Sequence, residues 1–166
     1  ILVGLVGSEM CIRDSFDPSV TVSSGQITVL SLPVAAAQAW SDNTNTIFNN
    51  SVRVSATDDF IVYMINRRAA TSDAALALPI DALNTKYMVV DYYGLSSALP
   101  SEFVVTAVFD DTLVTITPTE NIIGHVASVP FDVVLQRGQS YFAGAESTTS
   151  LTGSTISASR PVLSLI

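Results

Sequence analysis

The strongest constraint in this chain is the recurrence of short apolar runs with a period of two, punctuated by Asp-Asp and Gly-Gln pairs. In the stretch 51–65, Val52 and Val54 alternate with Arg53 and Ser55, and Asp58-Asp59 leads into a run rich in β-branched and aromatic residues. The stretch 102–118 repeats the plan around Asp110-Asp111. Successive side chains of a strand point to opposite faces, so this alternation buries one face and wets the other. Aspartate suits the intervening turns because its side chain accepts from nearby backbone N–H groups and tolerates unusual dihedrals. Both stretches are therefore expected to be hairpins. No amphipathic helical segment of useful length interrupts the pattern. The expected fold is all-β: an antiparallel β-sandwich or blade-like repeated β-units, incomplete at the C-terminus.

The chain also echoes itself. Val20 to Gln26 aligns with Val133 to Gln139, each an apolar run ending in Gly-Gln, and 52–62 resembles 154–163. Glycine at such a turn permits a positive φ. Each copy is expected to be strand, Gly-Gln turn, strand, loop and closing hairpin. Between the copies, Asp73 to Pro79 reads as a strand and Pro79 to Leu83 as one helical turn, proline costing nothing at its start. A strong strand is expected over Lys86 to Tyr93, before Gly94.

The two ends stand apart from this pattern. Leu5 to Ser15 resembles the translation of a sequencing adaptor, and Leu163 to Ile166 resembles the start of the opposite-strand adaptor. The reading is of an open reading frame from an assembled metagenomic read, with residues 1–15 and 163–166 non-native and 16–162 one partial β-rich domain. Cys11, the only cysteine, lies in the excluded segment and is not used as a site. Its removal leaves no disulfide, thiol nucleophile or cysteine-based zinc site. Truncation at the end is expected to leave the last strand, from Arg160 on, short of neighbours.

Charge excludes further classes. Charged residues make up 13% of the chain, against roughly 25% in ordinary soluble domains. The net charge is −8, or −7 once Glu9, Arg13 and Asp14 are set aside. A chain with one lysine, Lys86, and no basic cluster offers little to phosphate backbones or anionic membranes. The longest uncharged stretch, Pro18 to Ser41, is broken by polar residues and prolines, so no membrane insertion is expected.

Chemistry-bearing residues are few. His125 is the only histidine, has no serine–aspartate context, and reads as structural or solvent-facing. Asp91, Glu102, Asp110, Asp111, Glu120 and Asp132 are the candidates for a glycosidase-type acid pair, but read as turn or surface acids. The Asp-Asp pairs read as turns ahead of calcium ligands, since no loop gathers enough oxygens. Asn49-Asn50-Ser51 is a formal glycosylation sequon. Trp40, Tyr63, Tyr87, Tyr92, Tyr93 and Tyr141 offer stacking surfaces for sugar, although aromatics more often fill cores and strand edges. No catalytic residue, metal site or cofactor is expected, and the binding residues are left unassigned.

Four motifs carry a resemblance. They are the stretch 71–93, with Ala74 to Pro79 followed by Asp81 to Tyr93; the stretch 104–119; Leu135-Gln136-Arg137-Gly138-Gln139-Ser140-Tyr141; and Leu151 to Val162. In order and spacing they resemble the N-terminal domain of IgG Fc-binding-protein-like proteins, over about Val52 to Val162. The resemblance implies a β-rich, non-enzymatic, secreted or cell-surface module for binding or adhesion, of a kind many bacterial proteins carry. Its partner would be an extracellular protein or glycan, with no nucleic acid. A carbohydrate-binding β-module is the alternative, and a fragment of a carboxylate-dependent glycoside hydrolase stands third. Antibody binding belongs to the animal namesake and is not carried over.

Overall fold

The computed structural model describes residues 10–12, 19–33, 45–49, 51–67, 72–96 and 99–165. Strand makes up 46% of it and no α-helix occurs among the described residues. The strands are β1 (Met10–Ile12), β2 (Thr46–Phe48), β3 (Val52–Val54), β4 (Tyr63–Arg67), β5 (Ser72–Leu76), β6 (Asn84–Met88), β7 (Glu102–Ala107), β8 (Thr112–Thr117), β9 (Phe131–Leu135), β10 (Ser140–Gly144) and β11 (Thr155–Leu165). One 3-10 turn, Ile80–Ala82, sits where the helical turn after Pro79 was expected. All ladders are antiparallel.

The chain divides into two compact units, residues 1–38 with 52–79, and 39–51 with 80–166. The first holds the β1–β3 and β4–β5 pairs. Its small core is Val22 and Val62, packed with Val20, Leu30, Val54, Phe60, Met64 and Ala77.

The second unit is a seven-stranded sheet in the order β2-β10-β7-β11-β8-β9, with β6 added on β11. Alternation builds its core directly. Phe103, Val105 and Ala107 of β7, and Val114 and Ile116 of β8, point inward with their neighbours outward. Leu135, Tyr141, Ala143, Leu151, Ile156 and Val162 complete the packing. β9, at one end of the strand order, runs through a tight turn into β10, the strand next to the other end, and the sheet nearly closes into a sandwich-like shell.

Both expected hairpins are corrected. β7 and β8 flank the Asp110-Asp111 turn yet share no rung; each pairs instead with β11. Ile156 is opposite Ile116, and Val162 is opposite Ala107. β6 occupies the other flank of β11 at both places, so β7 and β8 lie end to end along one flank. Residues 159–161 of β11 therefore face 108–113, and the surplus is ejected as the Asp-Asp turn, with Asp111 at φ 52°. The turn is a corner between two ladders. The Asp58-Asp59 turn likewise joins strands that pair elsewhere, β3 with β1 and β4 with β5.

The internal repeat holds at its turns and not in its strands. Gln26 N donates to Ser23 O (3.0 Å) just as Gln139 N donates to Gln136 O (2.9 Å), with Gly25 at φ 73° and Gly138 at φ 81°. Only the second copy carries flanking strands; residues 19–33 form none, and 52–62 yields a three-residue strand where 154–163 yields most of β11. Two other limits shift: β6 opens at Asn84 and closes at Met88, short of Tyr93, and β5 spans Ser72–Leu76. Leu163 to Leu165 continue β11 against β7, with no partner on the other flank among the described residues.

Candidate binding surface

Beyond β6 the chain stays on the sheet for a few residues before turning. Val89 N donates to Ser154 O, and Val89 O accepts from Gly153 N, both at 2.9 Å. Asp91 then fastens the departing loop. Its backbone N donates to Thr152 Oγ1 (3.0 Å), and the same hydroxyl lies 2.9 Å from both Asp91 O and Asp91 Oδ1. Ser150 Oγ donates to Oδ1 (2.6 Å), and Ser101 Oγ donates to Oδ2. Ser101 is itself buried and takes the Leu151 N–H at 3.0 Å. One carboxylate thus ties the start of the loop, its end at Ser101 and the 150–152 turn together.

The loop is closed at its tip as well. Leu95 N donates to Leu99 O (2.9 Å) and Leu99 N to Ser96 O (3.0 Å). Gly94 lies where backbone crowds it: a Cβ there would stand 2.9 Å from Pro100 Cα and 3.2 Å from Thr148 Cα, so no larger residue fits. From this frame Tyr92 (92% exposed), Tyr93 (75%) and Leu95 (87%) project into solvent, with Leu99 also exposed. Exposed tyrosines are what protein interfaces use as anchors, since tyrosine supplies large contact area at small entropy cost, and exposed leucines beside them enlarge the apolar patch.

The other sequence candidates take structural places. Tyr87 donates to Val162 O (2.7 Å) and accepts from Asn84 N (2.8 Å), packing against the core. Tyr141 is 2% exposed and donates to Asn45 Oδ1 (2.8 Å); burial pushes its phenol up to about 12. Tyr63 is exposed on β4 in the first unit, and Trp40 lies outside the described residues. His125 stacks on Phe131 at 3.4 Å between ring centroids and meets Asn45 Oδ1 through Nε2 (3.1 Å). Desolvation lowers its pKa, which favours the neutral ring. Asn45, at φ 65°, joins the two, and nothing in the sequence singled it out.

The acids are dispersed in roles rather than paired. Asp110 Oδ1 accepts from Arg137 N (3.0 Å), and Asp111 exchanges two bonds with the Gln136 side chain. Asp132 accepts from Thr115 across the β8–β9 ladder (2.6 Å). Burial raises the Glu102 carboxyl, and Glu120 lies half-buried after β8. Among the described residues no group of three or more His, Cys, Asp or Glu is placed to hold a metal. In the sequon, Asn49 Oδ1 accepts from Gln139 Nε2 (3.1 Å) and Ser51 Oγ donates to Gly138 O (2.8 Å). Asn50 lies outside the described residues.

The sequence profile of the family described as IgGFc binding protein matches residues 73–165. That is more than half of the chain, running from β5 to the end of β11 and taking in the whole loop from Asp91 to Ser101. The chain belongs to this family. It is a family of binding domains, and its domains are typically extracellular. No curated protein and no solved structure matches the chain. No helix among the described residues is long and apolar enough to cross a membrane.

Proposed function

We propose that this chain is a non-enzymatic, secreted or cell-surface module that binds another protein through the Tyr92–Leu99 loop. The observation that carries the reading is the combination of exposed Tyr92, Tyr93, Leu95 and Leu99 with a frame locked by Asp91 and Gly94. Preorganisation matters because a loop already ordered loses little entropy on binding. Family membership supports a binding role and an extracellular setting. The structural roles of four of the six candidate acids, Asp91, Asp110, Asp111 and Asp132, and of His125 weigh against a hydrolase.

A glycan partner is the second reading, since tyrosines also stack on sugar rings. Here they stand beside Leu95 and Leu99, which offer nothing to the hydroxyls of a sugar, and the Asp91 carboxylate is used internally. Apolar neighbours favour protein. The test is an array printed with secreted proteins, an immunoglobulin Fc fragment among them, and with purified glycans. Wild-type chain is expected on protein spots, with retention reduced about tenfold or more in the Tyr92→Ala/Tyr93→Ala variant. Retention on glycans alone, or retention unaffected by the double variant, would overturn the proposal.

A further inference from the structure

Among the described residues, the outer flank of β6 is an open sheet edge with a defined hydrogen-bonding and side-chain code. β6 pairs with β11 and with no other strand among the described residues. Val89 and Asp91 turn both backbone groups toward the 150–154 segment. Backbone groups of an antiparallel strand alternate in direction, so those of Lys86, Met88 and Val90 point to the vacant flank. Their side chains share one exposed face, with Met88 64% and Val90 68% accessible, and Tyr92 follows at the same spacing.

From this we infer that the β6 edge takes up an extended segment of a partner protein as an added antiparallel strand, acidic opposite Lys86 and apolar opposite Met88 and Val90. The inference rests on the reading of the chain as a protein-binding module and names how the partner lies beside the Tyr92–Leu99 loop. The row of edge N–H and C=O groups selects an extended backbone, because only another strand satisfies donors and acceptors at two-residue spacing. Cross-strand pairing selects the side chains: apolar residues beside Met88 and Val90, an acid beside the chain's single lysine. A second copy fits worse. Two-fold pairing centred on Met88 sets Lys86 opposite Val90 in both halves, with no acid in reach, and joins two chains of net charge −8.

The probe is the peptide acetyl-Thr-Val-Thr-Val-Thr-Glu-Thr-amide, titrated into the full chain and followed by amide hydrogen exchange and NMR shifts. Exchange is expected to slow at Lys86, Met88 and Val90 while Val89, already bonded to β11, stays unchanged. Met88→Pro removes an outward N–H that the β11 ladder does not use, as edge strands allow. It is expected to weaken the peptide about five- to tenfold, the worth of one net hydrogen bond with its neighbours. Met88→Thr, which keeps the N–H, is expected to stay closer to wild type. Should Met88→Pro fail to fold, a peptide N-methylated at both valines carries the same test and is expected not to bind.

No binding of the parent peptide, or equal binding by the N-methylated one, overturns the inference. So does slowed exchange at Lys86, Met88 and Val90 on self-association without peptide, which would make the occupant a second copy. The outcomes separate from those of the array. Tyr92→Ala/Tyr93→Ala removes the loop contacts yet leaves this edge, so peptide binding persisting in that variant supports strand addition even where the loop reading has failed.

Discussion

Replacing Asp91 by alanine tests the frame on which the candidate surface depends. The substitution removes a carboxylate that accepts from Ser101, Ser150 and Thr152. Thr152 is exposed and Ser150 half-buried, and water takes over their hydrogen bonds at smaller cost than at a buried group. Ser101 is buried, and although it keeps the Leu151 N–H as a donor, its own O–H is left without an acceptor. A buried donor stranded in this way costs about 1–3 kcal/mol, and a bond to a charged group sits at the upper end. A loss of about 2–3 kcal/mol is expected, or roughly 10–15 °C in Tm for a unit of this size. Circular dichroism melts measure it, and amide exchange over 92–99 is expected to quicken while the β8–β9 ladder is unaffected. Asp91→Asn, which keeps one acceptor oxygen for Ser101, is expected to lose about half as much. A melt of Asp91→Ala within about 2 °C of wild type would refute the reasoning, because the loop would then be held by its backbone alone.

Tyr141 is expected to make the fold sensitive to alkali. Its pKa is raised to about 12, so the protonated form is favoured in the folded state, and stability is retained below pH about 10 and lost as pH rises toward 12. The full loss is roughly 2–3 kcal/mol, seen in denaturant melts at rising pH, and Tyr141→Phe is expected to abolish that step. His125 acts in the opposite direction: its pKa is lowered, so the neutral ring is favoured on folding. Stability is present above the unfolded value near 6.5 and declines as pH falls through it, a slope that His125→Phe should flatten in melts between about pH 7.5 and 5. Gly94→Ala must displace Pro100, Leu99 or Thr148 backbone, and is expected to cost about 1–3 kcal/mol by thermal melt and to weaken capture on the protein array.

Much of the fold was legible because its rule is local. The alternation of Val114 and Ile116 with Thr115 and Thr117 marks a half-buried strand without reference to any other segment. The Gly-Gln turn was legible for the same reason, since the positive φ of Gly138 and the Gln139-to-Gln136 bond are settled within four residues. The hairpins were misread because hairpin and corner share one local signature: two apolar runs and an aspartate turn. At the candidate surface, Tyr92 and Tyr93 were visible among the aromatics, and Asp91 among six acids, without anything to rank them. Their rank came from exposure and from hydroxyls that lie 10 and about 60 positions away in the chain.

The sequence alone therefore determined the secondary-structure type, the inward face of the main strands and the family, each carried by neighbouring residues or by motif order. Tertiary structure decided the partners. β7 and β8 could have satisfied their backbone groups on one another, and instead β11 arrives from 38 or more positions downstream to bond them both. Hydrogen-bond pairing is blind to chain distance once the core has collapsed, so the alternation that specifies a strand leaves open which strand lies beside it. The same freedom leaves the outer flank of β6 open among the described residues.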